Sequence, residues 1–247
     1  MGQKINPNSI RLLINPNYSS AWYEDKKNYS QLAKEDHFAR TTIKNLFDKF
    51  IFISNIKILR INSLNTCKTE KTNLCINLFF PTWKEIINIL KLGMESNHII
   101  AKEYTKRLKI KTLKKLFIFF ILEQSHFLAK KMSIQFKKRY LINFFFIKNR
   151  FKHPKLIAFY IATLIKQNMR IKRIMKEILR RLKNVEGIKG AQISISGCIS
   201  KSDRARTEYI KHGVLPFNTF KSNIYFAHES LKTSRGIYGI NVALNVC

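Results

Sequence analysis

The stretch Pro154–Gly187, PKLIAFYIATLIKQNMRIKRIMKEILRRLKNVEG, decides how the rest of the chain is read. Leu156, Ile157, Tyr160, Ile161, Leu164, Ile165, Ile171, Met175, Ile178, Leu179 and Leu182 recur at helical spacing, so an α-helix gathers them into one apolar stripe that needs a core to cover it. Pro154 suits the first helical position and Gly187 the turn that ends it, which predicts a single long helix. The remaining surface carries Lys166, Arg170, Lys172, Arg173, Lys176, Arg180, Arg181 and Lys183, with Glu177 opposing them. Ordinary surfaces intersperse the two signs; a face this one-sided asks for an anionic partner, phosphate above all.

Downstream, Ala191–Gly197 alternates Ile193 and Ile195 with Ser194 and Ser196, a strand with one wet face. Phe220–Phe226 and Ile237–Val246 read as further strands, the latter with Ile240, Val242, Leu244 and Val246 on one side. Ser202–Lys211 has helical character, with Asp203 near its start. Helix and strands together predict an α+β C-terminal domain over residues 151–247.

Upstream, Arg139–Lys148 reads as a strand. Residues 93–138 are irregular and basic, with Ile110, Leu113, Leu116, Phe117 and Phe120 at helical spacing. Phe52–Ile61 and Asn73–Phe80 form a candidate strand pair, closed by Pro81, after which Thr82 can cap a helix to about Leu92. Tyr29–Phe50 has the periodicity of an amphipathic helix, and residues 1–20 are a polar arm with a basic start. A second domain over 21–150 follows, with 93–138 inserted in it.

Composition narrows the partner. The chain has 46 Lys+Arg against 15 Asp+Glu, a net charge of +31 that repels itself in the compact state unless a polyanion neutralises it. With 45% hydrophobic residues, including 19 Phe, it is no disordered basic tail. Nucleic acid is the first candidate partner and an anionic membrane surface the second. The apolar runs Leu116–Leu122 and Tyr140–Ile147 are too short to span a bilayer, so no stable membrane insertion is expected. Cys67, Cys75, Cys198 and Cys247 lack metal-ligand spacing and read as reduced thiols. His37, His98, His126, His153, His212 and His228 are scattered, and no catalytic or nucleotide-cradling motif occurs, so no enzyme and no cofactor are expected. Gly187-Ile188-Lys189-Gly190 is a G-x-x-G, the backbone clamp of KH domains, but it leads into a strand instead of joining two helices; a helix-ending turn explains it better. Enrichment in Ile, Asn, Lys and Phe, all read by AT-rich codons, fits synthesis inside an organelle or in an AT-rich bacterium.

Both ends of the chain carry a resemblance. Met1-Gly2-Gln3-Lys4 with Pro7 and Arg11-Leu12 opens it. Ile195-Ser196-Gly197, Ala205-Arg206-Thr207-Glu208, Gly213, Pro216, Thr219 and Gly236-Ile237-Tyr238-Gly239 close it, in order. The chain resembles the small-subunit ribosomal protein S-three family over residues 1–80 and 139–247. That resemblance implies an α+β chain: a degenerate type II KH domain with an insertion, then a long helix and an α+β C-terminal domain. It implies a structural, non-enzymatic place in the subunit head, beside small-subunit rRNA, neighbouring head proteins and incoming mRNA. Lys172, Arg173 and Lys176 match the family's mRNA-contacting basic stretch. Gln3, Lys4, Arg11, Arg170, Arg180, Arg181, Lys201, Arg204, Arg206, Lys221 and Arg235 are the expected rRNA contacts. Thr82-Trp83-Lys84-Glu85 stands where the family has its G-x-x-G, and Cys198 and Val214 stand where it has Arg. Such departures suit an organellar ribosome, the mitochondrion ahead of a plastid or a bacterial cytoplasm. The competing readings are a freestanding organellar RNA-processing or splicing factor and a peripheral membrane protein.

Overall fold

The computed structural model describes residues 5–14, 18–47, 53–61, 71–79, 110–147, 149–199, 204–234 and 236–246. Within them the chain runs α1 (Pro7–Ile10), β1 (Ser20–Ala21), α2 (Lys26–Phe47), β2 (Ile53–Ile61), β3 (Lys71–Phe79), α3 (Ile110–Phe136), β4 (Arg139–Ile147), a 3-10 turn (Arg150–Lys152), α4 (Pro154–Lys166), α5 (Ile171–Lys183), β5 (Ile188–Gly197), β6 (Arg206–Gly213), β7 (Asn223–Thr233) and β8 (Gly236–Val246). These fall into two units, residues 19–147 and residues 1–18 with 148–247. Each mixes a sheet with helices, which makes the chain α+β.

In the unit of residues 19–147 the sheet order is β1-β2-β3-β4. The expected strand pair is β2 and β3, antiparallel with Ile58 opposite Leu74. β4 joins β3 in parallel, so the chain between them crosses over the sheet. Ala39 and Ile43 of α2 and Ile121, Leu128 and Met132 of α3 close over Ile53, Ile56, Ile58 and Tyr140. The expected helix from Thr82 to about Leu92 lies outside the described residues.

One feature of this core does not follow from periodicity: α2 turns Glu35 and Asp36 inward. A buried carboxylate is tolerated only when paired and hydrogen-bonded. Arg60 of β2 supplies the pairing, Nη1 at 2.8 Å from Glu35 and Nη2 at 2.5 Å from Asp36, and Lys138 Nζ lies 3.2 Å from Glu35. Ser20 Oγ and Trp22 Nε1 each donate to Asp36 Oδ2 at 2.8 Å, which ties the short β1 to α2. Arg40 adds bonds to the carbonyls of Ser19 and Ile56.

In the other unit the strands run β6-β5-β8-β7, all antiparallel. The long helix expected from Pro154 is two helices. Gln167 closes α4, and Asn168 takes φ 58, the left-handed region. The Asn168 amide donates to the Ile165 carbonyl at 2.9 Å and the Met169 amide to the Leu164 carbonyl at 3.3 Å. This is a Schellman ending, with Met169 and Leu164 both packed on the core. α5 restarts at Ile171, and its apolar stripe continues that of α4 onto the same core. α4 covers β7 and β8, while α5 lies against β5 and the edge strand β6.

Among the described residues of the expected Ser202–Lys211 helix, 204–211, none is helical. From Arg206 the chain is the edge strand β6, with Ile210 opposite Ile193 of β5. Thr207, Tyr209 and Ile210 favour the pleated state, and one inward apolar residue suffices at an edge. Both glycines of the G-x-x-G are structural. Gly187 has φ +89 in the turn after α5, and a Cβ on Gly190 would lie 2.3 Å from the Val214 carbonyl oxygen.

The arm at the chain start belongs to this second unit. Asn8 is N2 of α1; its side-chain amide donates to Phe226 O and its oxygen accepts from Phe226 N, both at 2.8 Å, extending the β7 edge. Arg11, 2% exposed, reaches further still. Its guanidinium donates to the carbonyls of Pro7, Pro216, Phe217, Thr219 and Ser222 at 2.8–3.3 Å.

Candidate nucleic-acid interface

α5 is positioned by its apolar side. Ile174, Met175, Ile178, Leu179 and Leu182 are buried, which leaves the opposite side to water. At about 100° per residue, Lys172, Arg173, Lys176, Arg180 and Lys183 fall within an arc of roughly 100°, extending about 16 Å along the axis. All five are exposed. The spacing 172, 176, 180, 183 already places Lys183 on this stripe, although the family resemblance does not single it out.

The electrostatics of the stripe favour an anion. Among the described residues Arg173, Lys176, Arg180 and Lys183 have no carboxylate partner, while Arg181, on the stripe's flank, is paired with Glu177 one turn earlier. Lys172 Nζ lies 3.7 Å from Glu208 Oε1 on β6, with the lysine 76% and the glutamate 24% exposed. A pair this open is worth about 0–1 kcal/mol, so phosphate can replace it. The helix end adds to this. Arg170 is the N-cap without a side-chain capping bond, and no acid occupies the first turn. Free amides and cations thus coincide at the positive end of the helix, where an anion is stabilised.

The other expected contacts divide into four groups. Arg204 and Arg206 are exposed at the start of β6, the strand against which α5 lies, and so flank the stripe. Lys221 is exposed in the turn before β7, at the opposite edge of the sheet. Gln3, Lys4, Lys201 and Arg235 lie outside the described residues. Arg11 is a correction: it is buried between the arm and the loop before β7, and every bond that its side chain donates goes to the protein's own carbonyls. Among the described residues no group of three or more His, Cys, Asp and Glu side chains could hold a metal ion.

The family profile "Ribosomal protein S3, C-terminal domain" matches residues 161–244, from within α4 to β8. Over nearly its whole length the chain is similar to small ribosomal subunit protein uS3c of Euglena longa, 31% identical over 252 residues that cover 99% of this chain and 100% of that protein. It is 32% identical to small ribosomal subunit protein uS3 of Phytoplasma vitis over 246 residues, 99% of this chain and 83% of that one. The chain belongs to the ribosomal protein uS3 family. A third relative, uS3c of Jasminum nudiflorum, is 29% identical over 98% of this chain. As a uS3 the chain is a structural, non-enzymatic component of the small ribosomal subunit, with rRNA and ribosomal proteins as its partners. Its named relatives are chloroplast and bacterial, consistent with an organellar form. Among the described residues no helix is long and apolar enough to cross a membrane.

Proposed function

We propose that the α5 stripe is the RNA-contacting face of this uS3 in the subunit head, with Lys172, Arg173 and Lys176 meeting incoming mRNA. Arg170, Arg180, Arg181, Arg204, Arg206 and Lys221, together with Gln3, Lys4, Lys201 and Arg235, hold rRNA. The observation that carries the reading is the run of five exposed cations on one side of a helix whose other side is packed, four of them without a carboxylate partner among the described residues. Phosphate contact releases counterions and supplies binding free energy in proportion to the cations engaged. The parallel crossover from β3 to β4 supports the KH-like reading of residues 21–150. For the compartment, codon-biased composition suits either organelle, whereas relatives named uS3c support a plastid over the mitochondrion. Organelle fractionation followed by sedimentation separates the two addresses.

The test of the mRNA assignment replaces Lys172, Arg173 and Lys176 together by Ala. Subunits should assemble normally and slow on messages with a stable stem while reading unstructured ones at the ordinary rate. Equal effects on both messages would remove the mRNA assignment and leave α5 as an rRNA surface.

A further inference from the structure

The sheet of residues 19–147 is closed on one side and open on the other. Ile56, Ile58 and Tyr140 turn toward α2 and α3, with Ile142 and Phe144 packed beside them. Alternation along each strand therefore turns Lys57, Leu59, Leu141, Asn143 and Phe145 to the opposite face. That face is open: Leu59 is 38%, Leu141 52% and Phe145 54% exposed, and Asn143 is exposed between the last two. β3 brings Asn73, Cys75 and Asn77 into register with Leu141, Asn143 and Phe145, and pairs Cys75 with Lys57 on its other side. From Leu141 to Phe145 the row runs about 13 Å along the strand.

The chemistry of this face separates the possible occupants. Strands β1 to β4 contain no Asp or Glu, and among the described residues Lys57 has no carboxylate partner. The apolar side chains do not form one patch, because the Asn143 amide stands between Leu141 and Phe145. An apolar protein surface or lipid chains laid over the face would leave that amide and the Lys57 ammonium without partners, which burial penalises. A nucleotide meets all three groups: its base stacks on the ring, its base edge bonds the amide and its phosphate pairs with the cation. An unpaired strand is required. In A-form duplex the bases are stacked on one another and side chains cannot read the deep, narrow major groove. A four-stranded sheet with an exposed aromatic is a known stacking surface for two or three bases. Exposed apolar groups on a resident subunit protein need lasting cover, which rRNA gives and a passing message does not.

We propose that the open face of β2, β3 and β4 binds an unpaired segment of small-subunit rRNA, with one base stacked on Phe145, Asn143 on a base edge and Lys57 on a phosphate. The inference rests on membership of the subunit and is independent of the α5 reading, whose residues lie in the other unit. A photo-crosslinking phenylalanine analogue at position 145 in assembled small subunits should give an RNase-sensitive adduct whose reverse-transcription stop falls on unpaired rRNA. On the full chain, Phe145→Ala should weaken binding of a short single-stranded oligoadenylate about fivefold or more, whereas Phe145→Trp keeps a ring and should keep the affinity. Phe145→Ala should leave duplex RNA binding and the salt slope unchanged, while Lys57→Ala should lower that slope by about 0.7. A protein adduct, a message adduct or no adduct at position 145 would overturn the proposal, as would equal losses on single strand and duplex in Phe145→Ala. Equal slowing on structured and unstructured messages after replacing Lys172, Arg173 and Lys176 would instead count against the α5 reading alone.

Discussion

Replacing Arg11 by Met keeps the length of the side chain and removes the guanidinium. Four of its five bonds to carbonyls are 3.0 Å or shorter. Hydrogen bonds to a charged group contribute about 1.5–3 kcal/mol each, so these four amount to about 6–12 kcal/mol before the cost of burying the cation. Desolvation of a buried ion returns several kcal/mol of that. The net loss expected is about 3–5 kcal/mol, a large share of the 5–15 kcal/mol that holds a typical domain folded. Hydrogen exchange over residues 215–228 is the direct assay, because three of those four carbonyls belong to that loop and Asn8 pairs there with Phe226. Protection should collapse in the Met variant and recover in part with Lys, which keeps the charge but not the fork of donors. The salt dependence of rRNA binding supplies the second readout. A lost phosphate contact lowers the log–log slope by about 0.7–0.9, as expected for Arg180→Ala, whereas Arg11→Met should leave it unchanged when measured on folded protein. Unchanged protection together with a reduced slope would refute the cage and return Arg11 to the RNA surface.

Glu35→Gln removes the carboxylate that pairs with both Arg60 and Lys138 and leaves Asp36 as the one carboxylate on Arg60, and should destabilise the unit of residues 19–147 by about 3–5 kcal/mol in a thermal melt. Tyr140 ionises far above the ordinary phenol range, because burial and then the charge of Glu35 oppose the phenolate, with Arg60 partly offsetting them. The unfolded phenol loses its proton near pH 10 while the folded one keeps it, so this contribution is intact below pH 10 and is lost as pH rises above it. Tyr140→Phe should therefore flatten the alkaline fall in stability; an unchanged slope would count against the buried phenol. Gly213 has φ +69, and a Cβ there would lie 2.2 Å from the Lys189 carbonyl oxygen. Gly213→Ala should cost about 2–4 kcal/mol from strain and clash together, against about 1–2 kcal/mol for Gly236→Ala, where nothing lies within 4 Å, and paired melts compare them.

Periodicity made most of the elements legible, because burial of one side is a local pattern. β2, β3 and β4 fall within two residues of the expected limits, and the α4–α5 stripe lies on the core as spaced. The break between those helices was also written in the chain. No large apolar residue separates Ile165 from Ile171 except Met169, and Asn168, the residue type after glycine most at ease with positive φ, stands in that gap. β6 was harder. An edge strand buries so little that Arg206–Gly213 shows only Ile210 as an inward apolar residue, too few to distinguish a period of 2 from one of 3.6.

The cations show where local reading ends. Arg11, Arg40 and Arg60 stand among apolar neighbours, as Arg173 and Arg180 do, and nothing within ten residues of Arg11 reveals that four of its five acceptors lie more than 200 positions away. Their work is nonetheless opposite. The first three spend their guanidinium groups on the protein's own carbonyls and carboxylates, joining segments distant in sequence, so the net charge of +31 overstates what is free to meet RNA. Arg173 and Arg180 have packing behind them and, among the described residues, no acid in front. Substitution separates the two kinds: the inner arginines should move stability and leave the salt slope of RNA binding alone, and the outer ones should do the reverse. A stability loss from Arg180→Ala as large as that from Arg11→Met would mean that the α5 stripe is held by the fold itself and not kept open for RNA.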